Sequence, residues 1–307
     1  MGKYAHPKHF DTALKSVALK TSKQQGMPVA DLIRIFYFSR LVARVFTHDP
    51  DGWMIKGGQA LLVRYANARL SQDIDLQSLD PDRDAEQARQ ALITAAGMDL
   101  DDFLKFTPGK YEPHADGQRG GAQHFDVYVG ARKAVHIKVD VVVGRPLAGT
   151  PELRSLSPAV PMEWPDEWPT VRLYPVLDHI ADKICAMYER HNGAPSNRFR
   201  DLADLLLMSQ QETIDGKTAR VVLHNEAQRR RNLGTELKLP AERFEIPDPT
   251  WTAAAYRQAA ALVIGLNGCR TLETATAAAH AFVTPLLTDE AIGRWDPHLG
   301  EWLPPDA

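Results

Sequence analysis

Two carboxylates stand at i and i+2 in Ser71-Gln72-Asp73-Ile74-Asp75, within a stretch from Gln72 to Gln77 where apolar and polar residues alternate strictly. A period of two predicts a strand, with Ile74 and Leu76 on one face and Asp73 and Asp75 on the other. Two carboxylates held this close repel each other unless they share a proton or a divalent cation, and hard oxygen donors suit Mg²⁺. Upstream, Lys56-Gly57-Gly58-Gln59 ends a short apolar run, and Ala60, Leu61, Leu62 and Tyr65 then recur as in a helix. Glycines let a backbone approach phosphate oxygens, and a helix N-terminus offers unpaired N–H donors to an anion. Together the segments describe a site for a metal-bound nucleoside triphosphate, with Lys56, Gly57, Gly58 and Gln59 at the phosphates. Each piece alone has a plainer reading, a solvated strand face or an ordinary turn. The order strand, Gly-Gly, helix, Asp-x-Asp strand is the specific signal.

Other residues could join this chemistry. Ser71 shares the face of Asp73 and Asp75, where its hydroxyl either starts the strand or contacts nucleotide. Strands are expected over 123–130 and 134–143, the second presenting His136, Lys138 and Asp140 opposite Ile137, Val139 and Val141. On a helix from Leu177 to Arg190, Leu177, Ile180, Ile184, Met187 and Tyr188 form the apolar stripe. Lys183 lies on its border, while Asp178 and Asp182 face away. A half-buried lysine needs an anion, either a ligand or a structural ion pair. On the next helix Asp201 falls within the stripe and Asp204 at its edge, and a carboxylate on a buried face needs a cationic partner. Arg229-Arg230-Arg231 either touches an RNA backbone or complements a helix C-terminus. The histidines show no ligand spacing.

The elements that must position these residues change character along the chain. From Pro28 to Phe46 an amphipathic helix is expected, with Arg34, Arg40 and Arg44 spread over its solvated surface. The first half is mixed α/β. Prolines then cluster between Arg145 and Pro175, with a short strand near Val171-Arg172-Leu173. Beyond, the periodicity is helical, over 177–190, 201–209, 217–231, 249–266 and 271–287. The chain has 307 residues, 44% hydrophobic and 24% charged, with a formal charge of −3, the composition of a folded protein with room for two domains. That balance excludes a uniformly basic nucleic-acid binder and leaves only local anion sites. Two cysteines, Cys185 and Cys269, cannot make a disulfide framework, which fits a reducing cytoplasm, and Cys185 reads as a small core residue. No signal-peptide core and no membrane span is expected.

The run from Lys56 to Leu62, followed by Arg69-Leu70-Ser71-Gln72-Asp73-Ile74-Asp75-Leu76, resembles the DNA polymerase β type of nucleotidyltransferase, and in particular its AbiEii/AbiGii toxin branch, which includes the MenT toxins. Leu177-Asp178-His179-Ile180-Ala181-Asp182-Lys183-Ile184 and Arg198-Phe199-Arg200-Asp201-Leu202-Ala203-Asp204-Leu205 resemble the later motifs of that branch. The resemblance implies an α/β fold, a nucleotidyltransferase core with a mixed β-sheet and flanking helices, followed by a helical C-terminal domain. Its expected divisions are a basic N-terminal segment (1–27), the core (28–150), a Pro-rich linker (151–175) and a helical domain completing the active site (176–307). It implies a two-metal Mg²⁺ site on Asp73, Asp75 and Asp140, with Asp126 the alternative third ligand. Lys183 and Asp201 are implied catalytic residues, Asp204 being the alternative to Asp201, and nucleotide binding falls to Lys56, Gly57, Gly58, Gln59, Ser71 and Lys183. The implied activity is transfer of a nucleoside monophosphate from an NTP to the 3′ end of tRNA, which blocks translation and is neutralised by a cognate antitoxin. A protein or small-molecule acceptor, and a nucleotide-binding module without transfer, are the competing readings. Gln59 departs from the pattern, standing where relatives often carry a hydroxyl residue.

Overall fold

The computed structural model describes residues 3–65, 67–114, 119–288 and 293–304. It divides into two units, each built from separate stretches of chain. One comprises 1–64, 70–146 and 151–173, the other 65–69, 147–150 and 174–307.

The first unit opens with α1 (Pro7–Gln25). Proline sits at its start, where the missing N–H costs nothing, and Gly26 ends it at φ +72°. Residues 7–25, within the segment 1–27 expected only as basic, therefore form a helix. Phe10, Leu14 and Ala18, spaced by four, bury one face of α1 in the core of this unit. Next comes α2 (Val29–His48), and here the expectation of solvated arginines fails. Arg40 and Arg44 are 2% and 0% exposed and converge on Asp102, itself fully buried. Arg40 Nε donates to Asp102 Oδ2 at 2.7 Å, and Arg44 Nη2 to Oδ1 at 2.6 Å. Arg40 also stacks over Trp168 and Arg44 over Phe106. A guanidinium can be buried when its donors meet a carboxylate and its faces meet aromatic rings.

The sheet is seven-stranded and mixed. Its first members are β1 (Trp53–Lys56), followed by α3 (Gly57–Arg64), and β2 (Ile74–Ser78), followed by α4 (Ala85–Ala96). A reciprocal pair of hydrogen bonds between Asp84 and Gln87 caps α4. Then come β3 (Leu104–Pro113), β4 (Gly120–Val129), β5 (Arg132–Val142), β6 (Glu152–Ser155) and β7 (Thr170–Leu173). The order is β3-β4-β5-β2-β1-β7-β6, with β2 parallel to β5, β1 parallel to β7 and the other neighbours antiparallel. Residues 151–175, expected as a linker, thus supply two strands of the sheet. Leu156, Val160 and Met162 join the same core, and Trp164 and Trp168 pack against it. Prolines here punctuate short elements and do not unfold them.

The second unit is helical, as expected: α5 (Val176–Tyr188), α6 (Phe199–Ser209), α7 (Gly216–Asn232), α8 (Ala253–Ala261) and α9 (Leu272–Leu287). Two small three-stranded sheets accompany them. Arg230 is buried and paired with Asp182, Glu189 and Glu226, and Arg229 also grips Glu226. Arg230, the middle residue of the tri-arginine run, therefore ties α7 to α5. Asp178 and Asp182 do not face away as expected. Asp178 accepts from the Ala148 and Gly149 N–H groups, both at 2.9 Å, and Asp182 meets Arg230. Burial pushes the Cys185 thiol up to about 12, which leaves it an inert core residue. Among the described residues no helix is long and apolar enough to cross a membrane.

Candidate active site

The carboxylates are positioned by strand register. In the parallel pair of β2 and β5, Asp75 lies opposite Asp140, and in the antiparallel pair of β1 and β2, Asp75 also lies opposite Lys56. Asp73 precedes β2 by one residue. Asp140, and not Asp126, is the residue placed beside Asp75. Asp126 sits on β4 opposite His136 and pairs with Lys133 and His136. The glycine turn is fitted to the same carboxylate. Gly57 has φ +57°, and a Cβ there would fall 1.8 Å from Asp75 Oδ2, so both backbone conformation and space demand glycine.

The electrostatics follow from this crowding. Burial, then the charges of Asp73 and Asp140, push the Asp75 carboxyl up to about 7, against the pull of Lys56 and Lys138. The outer two carboxylates have partners. Ser71 Oγ donates to Asp73 Oδ1 at 3.2 Å, Lys138 Nζ lies 3.3 Å from Asp73 Oδ2, and His114 Nε2 lies 2.8 Å from Asp140 Oδ1. Arg34 Nη2 donates to the Gln72 carbonyl at 2.6 Å, which fixes the peptide leading into Asp73. Gln59 is 1% exposed, and its side-chain oxygen has no hydrogen-bond partner among the described residues. Its side chain is thus turned away from solvent. Lys56 is likewise buried at the end of β1.

Three oxygen-donor carboxylates with one neutralisable by crowding are the donor chemistry a hard divalent cation relieves, so the residues fit Mg²⁺. Among the described residues, though, no group of three or more His, Cys, Asp and Glu is already gathered about one point. Lys138 lies against Asp73, and His114 against Asp140.

The second unit carries its own cluster. Lys183 Nζ donates to Asp201 Oδ1 and Asp204 Oδ2, both at 2.7 Å. Arg69 grips Asp204 with two parallel bonds of 3.0 and 2.9 Å, and Arg198 reaches Asp201 at 3.3 Å. Asp204, expected at the edge of the stripe, is the more deeply buried of the two acids. Burial disfavours each charge, yet the Asp201 carboxyl is held below its usual value by Lys183 and Arg198. Lys183 is raised above its usual value by Asp201 and Asp204, again against burial. Arg69, Lys138, His114 and Arg34 were not among the expected site residues. Arg69 stands in the motif run and Lys138 on the Asp140 face, but the partners of His114 and Arg34 lie far along the chain.

A model of one family matches residues 40–269, most of the chain, and that family is described as the nucleotidyl transferase AbiEii toxin of type IV toxin–antitoxin systems. The chain belongs to the AbiEii family. The α/β nucleotidyltransferase fold expected from the motifs is the fold observed. Among solved structures, this AbiEii-family protein is similar to MenT4, a nucleotidyltransferase toxin from Mycobacterium tuberculosis, at 17% identity and a TM-score of 0.50, over 85% of this chain and 93% of that one. JHP933 from Helicobacter pylori matches at 14% identity and a TM-score of 0.36, over 63% and 73% of the two chains. No curated protein sequence matches.

Proposed function

We propose that this AbiEii-family toxin is a Mg²⁺-dependent nucleotidyltransferase that moves a nucleoside monophosphate from an NTP to the 3′ end of tRNA, and so stops translation in the cytoplasm until its antitoxin neutralises it. The observation that carries the reading is the register that sets Asp75 beside Asp140, next to Asp73 and against the Gly57 turn. Asp73, Asp75 and Asp140 would hold Mg²⁺. Bound there, the cation would supply positive charge to offset the triphosphate and would make the acceptor hydroxyl easier to deprotonate.

The remaining steps belong to the chain. Gly57 and Gly58 bring backbone close to the β and γ phosphates without side-chain obstruction, and Lys56 sets a positive charge beside Asp75. Ser71 orients Asp73. The acceptor hydroxyl attacks the α-phosphorus, its proton passes to Asp140, and pyrophosphate leaves. From the family resemblance we infer that Lys183 and Asp201 also take part in this reaction. Because they are tied to Asp204 and Arg69, Asp201→Asn probes their part with less damage than Lys183→Ala.

The test incubates the purified protein with total tRNA, Mg²⁺ and each α-labelled NTP in turn, beside Asp73→Ala. Label on the tRNA 3′ end that vanishes with Asp73→Ala and with chelator is the expected result. Label on protein or a small molecule would replace the acceptor, and triphosphate binding without any transfer would overturn the catalytic reading.

A further inference from the structure

The strand register that brings Asp75 beside Asp140 also brings a cation to Asp73. Ile74 pairs with Val139, so the preceding residues, Asp73 and Lys138, are neighbours across the two strands. The Asp-x-Asp sequence thus runs beside Lys-x-Asp. At one end of the pair two anions face each other, and at the other an anion faces an ammonium, with Lys138 Nζ 3.3 Å from Asp73 Oδ2.

Lys138 differs from the other lysines near the proposed site. Lys183 is locked in burial between two carboxylates, and Lys56 is buried at the end of its strand. Lys133, on the same strand as Lys138, is bound to Asp126 and away from Asp75. The side chain of Lys138 is 42% exposed and that of Asp73 36%, so this ion pair can open into solvent. A lysine carries its charge on a flexible four-carbon stem, and a partly exposed ion pair is held only weakly. Lys138 also feels Asp140 and Asp75 as well as Asp73, which makes it a counterion of the whole group.

A dication arriving at Asp73 and Asp75 must meet this ammonium. The two are of like sign and want the same oxygens. We propose that Lys138 is a built-in counterion that competes with the divalent cation for Asp73 and moves to the triphosphate when the cation arrives with a nucleotide. Bare cation must displace Lys138 from Asp73, the carboxylate it contacts directly. Cation with triphosphate brings the ammonium new anionic oxygens in exchange. Lys138 therefore couples the two bindings, so that metal and nucleotide each strengthen the other. This rests on the metal–nucleotide reading of the site.

The test is manganese titration of the full chain, followed by electron paramagnetic resonance, without nucleotide and then with a non-hydrolysable triphosphate. Relief of a like charge at a partly exposed ion pair predicts that Lys138→Met binds Mn²⁺ alone about three- to tenfold more tightly than the parent protein. Lys138→Gln should move the same way, and Lys133→Met should not move. With triphosphate present the gain should vanish, because the nucleotide then binds severalfold more weakly. Unchanged or weaker Mn²⁺ binding by both Lys138 variants would overturn the inference while leaving the metal reading in place. Mn²⁺ affinity that Asp73→Asn leaves untouched would overturn the metal reading and the inference with it.

Discussion

Lys183 has more to lose than a ligand contact. Its ammonium neutralises Asp204, which is shut off from bulk water, and Asp201, which is nearly so, with Arg69 and Arg198 completing the balance. Breaking a buried ion pair by removing one partner strands the other charge, at a cost of about 3–5 kcal/mol. Lys183→Met should therefore lower the free energy of unfolding by about that amount, read from urea denaturation. Removing one of the two carboxylates as well, with Asp201→Asn, should recover part of the loss. A Lys183→Met variant as stable as the parent would mean that water or Arg198 already satisfies these acids. The turn at Gly57 and the strand carrying Asp75 were legible in advance because a glycine pair and a period of two are local signals. The partners of Asp140 were not, since His114 reaches it across a separation of 26 residues and through a register shift in β3.

At the scale of elements, α2 is held by a charged knot in an otherwise apolar core. Burial alone would raise the Asp102 pKa, but the hydrogen bonds and charges of Arg44 and Arg40 more than offset it, and the carboxyl lies below its usual value. A depressed folded pKa contributes stability that is fully present above the unfolded value, about 3.9, and is lost as pH falls through the folded value. Stability should thus fall below about pH 4 in the parent protein. Asp102→Asn should be less stable at pH 7, by about 3–5 kcal/mol, and should lose less between pH 4 and pH 3. Urea midpoints at pH 7, 4 and 3 read both differences; equal acid losses in the two proteins would remove Asp102 as a source. The amphipathic pattern of α2 was plain in the sequence. That two of its arginines point inward was not, because the deciding partners, Asp102, Trp168 and Phe106, come from distant segments.

For the whole molecule, the chain does not divide at one point. Residues 65–69 and 147–150 leave the first unit to belong to the second, where Arg69 meets Asp204 and the Ala148 and Gly149 N–H groups meet Asp178. A fragment ending at residue 173 deprives both segments of these partners. In hydrogen exchange, the amides of Ala148 and Gly149 should be protected in the full chain and lose that protection in the 1–173 fragment. Equal protection in both would show that the first unit orders these segments unaided.

What the sequence by itself determined is local and periodic. The alternation around Asp73 and Asp75, the glycines before α3, the stripes of α5 and α6 and the motif order each depend on residues within a turn or two of one another. Physical chemistry acts on such neighbours whatever the rest of the chain does. Tertiary structure alone decided the pairings: Asp140 over Asp126 beside Asp75, Lys138 beside Asp73, Lys183 between two acids, and β6 and β7 within the sheet. Those outcomes depend on register and on which distant charges share a low-dielectric interior, and neither has a local signature along the chain.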